Sequence, residues 1–149
     1  MPDILSVPVK GENIQTCLEY FLATENVQWK CPCCLDSNAS KSINIIKEPS
    51  TLLLQLMRFE FSQETRHTTK KQETLKCPTS FHFGNDSVYT LKCIVNHEGD
   101  HPESGHYTSL LYDQDADKFV LIDDDAVYPD VDVDDMRDLF YLVSYVKST

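Results

Sequence analysis

The sequence predicts an α+β fold dominated by antiparallel β-strands. One amphipathic helical segment lies near the N-terminus, and several strand-like segments separated by polar stretches follow it. Strands without helical periodicity between them favour an antiparallel sheet, with the helix packed beside it. The chain has 149 residues with 41% apolar content, no repeat and no flexible linker. We therefore expect residues 1–149 to form a single unit with its own core.

The helix is predicted over residues 13–23. Apolar side chains recur there at i, i+3, i+4, i+7 and i+8, namely at Ile14, Cys17, Leu18, Phe21 and Leu22. This spacing places them on one face of a helix. Cys17 is consequently expected to be buried.

Six later segments are rich in β-branched, aromatic or leucine residues and are predicted as strands. They are residues 42–47, 51–61, 88–96, 106–112, 118–122 and 139–147. The segment 51–61 is almost continuously apolar, which predicts a buried strand. Residues 63–72 and 96–105 are polar or rich in turn residues and are predicted as exposed loops, so His97 and His101 should be solvated.

Charge and composition restrict the possible partners and the compartment. The formal net charge is −11, with acidic residues concentrated between residues 113 and 138. This argues against nucleic acid or an anionic membrane as the main partner and favours a basic one, although the charge can equally serve to keep the surface soluble. The N-terminus lacks the pattern of a signal peptide, so we expect an intracellular protein, cytoplasmic or nuclear, with reduced cysteines.

A histidine and an aspartate form the candidate catalytic pair. Gly105-His106-Tyr107 opens a predicted strand, and Asp123 ends the next one. A hairpin between these strands would bring the two side chains together, and an imidazole held by a carboxylate is the base half of a catalytic triad. Such a pair is also common as a simple surface hydrogen bond, so the spacing alone does not decide.

An ordered series of motifs carries a family resemblance. These motifs are Trp29-Lys30-Cys31-x-x-Cys34, Ile46-x-x-x-Pro49-x-x-Leu52-x-Leu54-x-Leu56-x-Arg58-Phe59, Tyr89-x-Leu91, His97-x-Gly99, Gly105-His106-Tyr107 and Asp123-Asp124-x-x-Val127, with a closing Tyr141-Leu142-Val143-Ser144-Tyr145-Val146. The series resembles the ubiquitin-specific proteases, from about Cys17 to the end of the chain. The resemblance implies the palm and part of the fingers of a papain-like catalytic domain, roughly its C-terminal half.

The resemblance also implies roles for particular residues. His106 matches the general base of the family, Asp123 its orienter and Asp124 an adjacent acidic position. The segment containing His97, Gly99, Gly105 and Tyr107 resembles a loop that gates the tail of ubiquitin. The implied reaction is thiol-dependent hydrolysis of bonds to the C-terminal glycine of ubiquitin, and the implied partners are ubiquitin or ubiquitinated proteins.

The nucleophile of that family is not identifiable here. It lies in an asparagine-threonine-cysteine stretch that opens a helix, which Gln15-Thr16-Cys17 only superficially matches, and a buried thiol is a poor nucleophile. Two hypotheses follow. The chain is the C-terminal part of a deubiquitinase, without activity by itself, or it is a catalytically inactive ubiquitin-binding or scaffold protein. A part of a papain-like domain can also expose apolar surface and fold poorly alone.

Cys31 and Cys34 have the spacing of a zinc knuckle and would provide two of four ligands. In the family that the chain resembles, the partner pair is another C-x-x-C that precedes this one, and residues 1–30 contain none. We therefore expect a half-site without metal, or one that pairs with residues outside this chain, rather than a complete zinc site. No cofactor is required by the implied reaction.

Overall fold

Eight of the twelve strands that the structure describes pair into one sheet. The computed structural model describes residues 4–148. The strands of this sheet are β1 (Ile4–Pro8), β4 (Thr51–Met57), β7 (Ser80–Phe83), β8 (Ser87–His101), β9 (Ser104–Asp113), β10 (Lys118–Asp123), β11 (Ala126–Val131) and β12 (Phe140–Lys147). Their order is β1-β4-β12-β8-β9-β10-β11, and β7 pairs with the part of β8 that precedes its pairing with β9. Among the described strands only β1 and β4 pair in parallel, so the predicted antiparallel α+β class is confirmed.

Two hairpins form small sheets of their own. β2 (Glu25–Gln28) pairs with β3 (Asn38–Lys41), and β5 (Phe59–Phe61) pairs with β6 (Thr68–Lys70). A 3₁₀ turn at Asp134–Met136 precedes β12. No helix between residues 4 and 148 has the length and apolar character needed to cross a membrane.

The predicted helix is confirmed as α1 (Ile14–Leu22). Its N-terminus is closed by a capping box, in which the Thr16 amide donates to Asn13 Oδ1 at 2.9 Å and the Asn13 amide donates to Thr16 Oγ1 at 3.2 Å. Ile14, Cys17 and Leu18 are buried against the sheet, as the periodicity predicts. The helix thus covers one face of the sheet near β1.

Burial on β4 alternates, which corrects the prediction of a continuously buried strand. Leu52, Leu54 and Leu56 are at most 4% exposed, whereas Met57 is 50% exposed. The strand lies between β1 and β12, and only one of its faces packs on the core. The run of leucines therefore does not mark a strand covered on both faces.

The predicted strand over residues 51–61 is divided at Arg58, which is fully buried. Its guanidinium donates to four backbone carbonyls: Phe140 at 2.5 Å, Lys71 at 3.0 Å, Glu73 at 2.9 Å and Arg137 at 2.9 Å. The strand is interrupted where this side chain turns inward. Its hydrogen bonds connect the end of β4 to residues 71–73 and 137–140. Satisfied hydrogen bonds are what allow the charge to remain buried.

Other predicted boundaries were wrong for a common reason. Residues 42–47 form no strand, and Ile46 is 98% exposed. Conversely, β6 lies inside the predicted loop 63–72, and β1, β2, β3, β7 and β11 were not predicted. These strands are short, and a neighbouring segment supplies the hydrogen bonds that their local sequence does not encode.

Candidate functional site

The candidate site lies where the β8–β9 hairpin meets the end of β10. Residues 96–105, predicted as an exposed loop, instead continue β8 to His101 and start β9 at Ser104. His106 pairs across this hairpin with Glu98, and the register shifts between Glu98 and His101. His106 is thus held by a paired strand, which fixes its backbone.

A second hairpin brings the aspartate to the histidine. β10 pairs with β9 and then turns through Asp124 and Asp125 into β11, so that Asp123 is the last residue of its strand. Asp124 has a φ of 48°, a left-handed conformation that aspartate tolerates in turns. As the sequence predicts, His106 and Asp123 meet, with His106 Nε2 2.5 Å from Asp123 Oδ1.

The electrostatics of the pair favour a protonated imidazole. The hydrogen bond to Asp123, followed by the charge of that carboxylate, raises the pKa of His106, while Asp124 and Glu98 contribute smaller effects in the same direction. The side chains of His106 and Asp123 remain 45% and 37% exposed. Because Asp123 occupies Nε2, the other ring nitrogen, Nδ1, is left to exchange a proton with an approaching group.

His97 lies beneath this hairpin and is 1% exposed, so the prediction that it is solvated was wrong. Its ring contacts Tyr107, Phe59 and Tyr141, with centroid distances of 4.9, 5.4 and 5.8 Å. Burial, followed by the charge of Lys70, lowers the pKa of His97 and favours its neutral form. Within residues 4–148 neither ring nitrogen makes a hydrogen bond of normal geometry. His97 therefore acts as a packed aromatic ring in this arrangement.

Gly105 makes room for that ring. A Cβ at Gly105 would lie 2.5 Å from both the Glu98 carbonyl oxygen and His97 Nε2, and its φ is 154°. Gly99 has a φ of 143°, and a Cβ there would lie 2.9 Å from the Ser104 carbonyl oxygen. Both glycines permit close packing inside the hairpin.

Tyr107 gives the site its exposed aromatic surface. It is 49% exposed and follows His106 directly, with its ring packed on His97. Sequence analysis placed Phe59 and Tyr141 in the motif series without a role at the site, where they complete the aromatic cluster from β5 and β12. It missed Lys70, which donates to the His97 carbonyl at 2.6 Å. The only available signal was the position of these aromatic residues at strand ends.

One group of side chains has the spacing of metal ligands. Within residues 4–148, ligand atoms of His106, Asp123 and Asp124 lie within 4.8 Å of one another. Asp123 already accepts a hydrogen bond from the imidazole, so the same atoms form an acid–base pair. Proton transfer by His106 is the chemistry that this geometry supports directly.

The thiols lie elsewhere. Cys17 is buried, and its Sγ lies 3.2 Å from the Lys10 carbonyl oxygen. Burial raises the pKa of three thiols, those of Cys17, Cys77 and Cys93. Cys31 and Cys34 lie in the connection between β2 and β3, and backbone hydrogen bonds from Cys34, then Cys33, lower the pKa of Cys31. No thiol among residues 4–148 hydrogen-bonds to His106.

Comparison with known proteins supports a family assignment. Residues 9–143 match the family model for ubiquitin carboxyl-terminal hydrolases. The chain is 30% identical to the probable ubiquitin carboxyl-terminal hydrolase 8 of Schizosaccharomyces pombe, over 95% of this chain and 32% of that protein. It is 32% identical to ubiquitin carboxyl-terminal hydrolase 48 of Rattus norvegicus, over 84% of this chain and 12% of that protein. The chain thus spans about a third or less of the length of these two relatives.

Solved structures show the same fold. A yeast SAGA DUB module with a mutant Sgf73 superposes with a TM-score of 0.82 at 25% identity, covering 99% of this chain and 35% of that chain. The SAGA Ubp8/Sgf11/Sus1/Sgf73 DUB module bound to ubiquitin aldehyde gives a TM-score of 0.80 at 24% identity, covering 99% and 36%. The chain therefore belongs to the ubiquitin carboxyl-terminal hydrolase family, the ubiquitin-specific proteases, and corresponds to the C-terminal part of their catalytic domain.

Proposed function

We propose that this chain provides the base and its orienter for thiol-dependent hydrolysis of bonds to the C-terminal glycine of ubiquitin. His106 is the general base, Asp123 orients it, and Asp124 adds negative charge beside the pair. The observation that carries this proposal is the 2.5 Å contact between His106 Nε2 and Asp123 Oδ1, which leaves Nδ1 free on a half-exposed ring. The family to which the chain belongs supports the choice of reaction.

The chemistry assigned to the pair is proton transfer in both directions. With Nε2–H donating to Asp123, the Nδ1 lone pair accepts the proton of a thiol, and the thiolate attacks the carbonyl carbon of the scissile bond. Asp123 stabilises the imidazolium that results. His106 then returns the proton to the departing amine, and a water molecule, deprotonated in the same way, releases ubiquitin from the thioester.

The nucleophile in this proposal comes from residues outside the 149 of this chain. Three of its cysteines, Cys17, Cys77 and Cys93, have a pKa raised by burial, which disfavours the thiolate. The other three lie in the β2–β3 hairpin, a sheet separate from the one that carries His106. We therefore expect no appreciable hydrolysis by this chain alone.

Ubiquitin is the partner that fits this site best. Tyr107 offers a half-exposed ring beside His106, and His97, Gly99 and Gly105 shape the hairpin that presents it. The net charge of −11 suits a basic segment. A solved structure with the same fold was obtained with ubiquitin aldehyde, which supports this choice. We accordingly propose a cytoplasmic or nuclear location and no cofactor requirement.

A second candidate function is binding of ubiquitin without cleavage. It is favoured by the separation of all described thiols from the hydrogen-bond network of His106, since a cleft without a nucleophile can still hold a ubiquitin tail. Both candidates predict binding. They differ in whether supplying a nucleophile produces hydrolysis.

A ubiquitin probe with a thiol-reactive C-terminus and a calorimetric titration with plain ubiquitin test these functions. We expect plain ubiquitin to bind, Tyr107→Ala to weaken binding, and the probe to form no adduct. The Tyr20→Ala variant, which removes an exposed ring on α1 outside this hairpin, is the matched control and should bind like the parent chain. An adduct on any of the six cysteines would refute the external nucleophile, and absence of binding would refute both candidates.

Hydrolysis separates the two candidates. The segment that precedes the matched region in the Schizosaccharomyces pombe relative is joined to this chain, and release of a fluorescent amine from ubiquitin is measured. Catalysis that is lost with His106→Ala would support the first candidate. A fusion that binds ubiquitin but does not cleave the substrate would support the second.

A further inference from the structure

Three of the six cysteines lie in one turn, between β2 and β3. The Leu35 amide donates to the Cys31 carbonyl at 2.9 Å, and the Cys31 amide donates to the Asp36 carbonyl at 2.8 Å. Leu35 has a φ of 61°, a left-handed conformation that a bulky residue rarely adopts. The turn between Cys31 and Leu35 is thus closed by its own hydrogen bonds, and its backbone is fixed.

The turn contains the two most accessible thiols of the chain. Cys33 and Cys34 are exposed and Cys31 is half-buried, whereas Cys17 is buried and Cys77 and Cys93 are half-buried. β2 and β3 pair only with each other. Access to the turn therefore does not require any opening of the main sheet.

The residues that the structure describes around this turn do not form a complete zinc site. A structural zinc ion requires four ligands in a tetrahedral arrangement. Within residues 4–148 no set of three ligand atoms with suitable spacing includes Cys31 or Cys34; the set that exists is formed by His106, Asp123 and Asp124. The described chain thus provides a pair of neighbouring thiols rather than a metal centre.

We propose that Cys31 and Cys34 form a reversible disulfide when the protein meets a hydroperoxide. The Leu35 amide closes a single helical turn on the Cys31 carbonyl. Cα atoms three residues apart in such a turn lie about 5 Å from each other, within the roughly 4.4–6.8 Å that disulfides span between Cα atoms. Adjacent Cα atoms, as in Cys33 and Cys34, are only about 3.8 Å apart. A bridge from Cys31 to Cys33 would close a ring around Pro32, whose φ is fixed.

The reaction proceeds in two balanced steps. With hydrogen peroxide as the hydroperoxide, one sulfur of the pair attacks a peroxide oxygen, the O–O bond breaks, and a sulfenic acid and one water form. The second thiol then attacks the sulfenic sulfur, the S–S bond forms, and a second water leaves with the sulfenic oxygen. The two thiols lose two electrons together and the peroxide gains them. A dithiol reductant reverses the oxidation.

Peptide mass spectrometry tests the proposal on the full chain. The protein is reduced, freed of metal, treated with increasing hydrogen peroxide, alkylated and digested with trypsin. Trypsin cuts after Lys30 and Lys41 and therefore leaves Cys31, Cys33 and Cys34 in one peptide. We expect this peptide to lose two hydrogen atoms and to carry one alkyl group, and dithiothreitol to restore three alkyl groups. Cys33→Ser is the matched control and should still form the bridge, without any remaining alkyl group.

The variants assign the bonded pair. Cys31→Ser and Cys34→Ser should each abolish the intramolecular bridge. The proposal would be overturned if the bridge were lost in Cys33→Ser or survived in either of the other variants. It would also be overturned by a bridge to Cys77 or Cys93, or by oxidation only to sulfinic acid. One equivalent of zinc retained by the purified protein and released by Cys31→Ser would also overturn it, because the thiols would then be metal ligands. None of these outcomes bears on His106.

Discussion

Replacement of Gly105 by alanine should destabilise the hairpin that carries His106. An added Cβ would lie 2.5 Å from the Glu98 carbonyl oxygen and 2.5 Å from His97 Nε2. The carbonyl belongs to the paired strand and the imidazole is packed among aromatic rings, so neither can move away easily. A φ of 154° is also unfavourable for alanine.

The magnitude follows from these two effects. An L-residue in a sparsely populated backbone region costs about 1–3 kcal/mol, and overpacking adds about 1–3 kcal/mol. Their sum, about 2–6 kcal/mol, is a large part of the roughly 5–15 kcal/mol by which domains are stable. At about 2–4 °C per kcal/mol for a chain of this size, the melting temperature should fall by at least about 4 °C.

Urea and thermal unfolding followed by far-ultraviolet circular dichroism would measure this change, since Trp29 is 56% exposed and is a poor fluorescence probe of the core. The matched control is Ser104→Ala, at the neighbouring exposed position, which should stay within about 0.5 kcal/mol of the parent chain. If Gly105→Ala is as stable as Ser104→Ala, the packing of His97 against Gly105 is not as described, and the reasoning fails.

Three further predictions concern charged side chains. Asp123→Asn should lower the pKa of His106 in an NMR titration, and an unchanged pKa would contradict the contact. Because Asp123 raises the pKa of His106 in the folded protein, the stability from this pair is present at low pH and is lost as the pH rises through that raised pKa. Arg58→Ala should cost about 3–5 kcal/mol in urea unfolding, since four backbone carbonyls lose their donor, whereas a cost below about 1 kcal/mol would show that water replaces it. Hydrogen bonds from Lys147, Ser87 and the Asn85 amide lower the pKa of Glu48 to about 2. The stability that the ionised Glu48 provides is therefore lost as the pH falls from the ordinary pKa of a glutamate toward 2. The Glu48→Gln variant should lose less stability over that pH range. Identical acid unfolding of the two proteins would disprove that assignment.

Several elements could be predicted because their signals are local. The helix was predicted from its apolar periodicity, and Asn13 and Thr16 provide a capping box at its start. The strands that correspond to β8, β9, β10 and β12 were recognised from β-branched and aromatic runs, because these strands pack on the core and select such residues. The proximity of His106 and Asp123 also followed from local order, since a hairpin was predicted between their strands.

Long-range contacts explain the errors. His97 lies in a segment with glycine, proline and acidic neighbours, which favours a loop, yet aromatic rings from β5 and β12 bury it. Arg58 divides a leucine-rich strand because its hydrogen-bond acceptors lie as far along the chain as Arg137 and Phe140. Neither the aromatic neighbours of His97 nor the hydrogen-bond acceptors of Arg58 can be read from the local sequence.

The sequence by itself determined the fold class, the helix, the proximity of His106 and Asp123 and, through the order of its motifs, the family. These features depend on the periodicity and the residue types of short segments, which can be read directly from the sequence. Only the tertiary structure decided that residues 96–105 form a paired hairpin, that Gly105 serves the packing of His97, and that Cys33 and Cys34 of the β2–β3 turn are exposed while Cys31 and the other three cysteines are wholly or partly buried. The physical reason is that burial and hydrogen-bond partners are set by segments far apart in the chain, and these meet only when the sheet has formed.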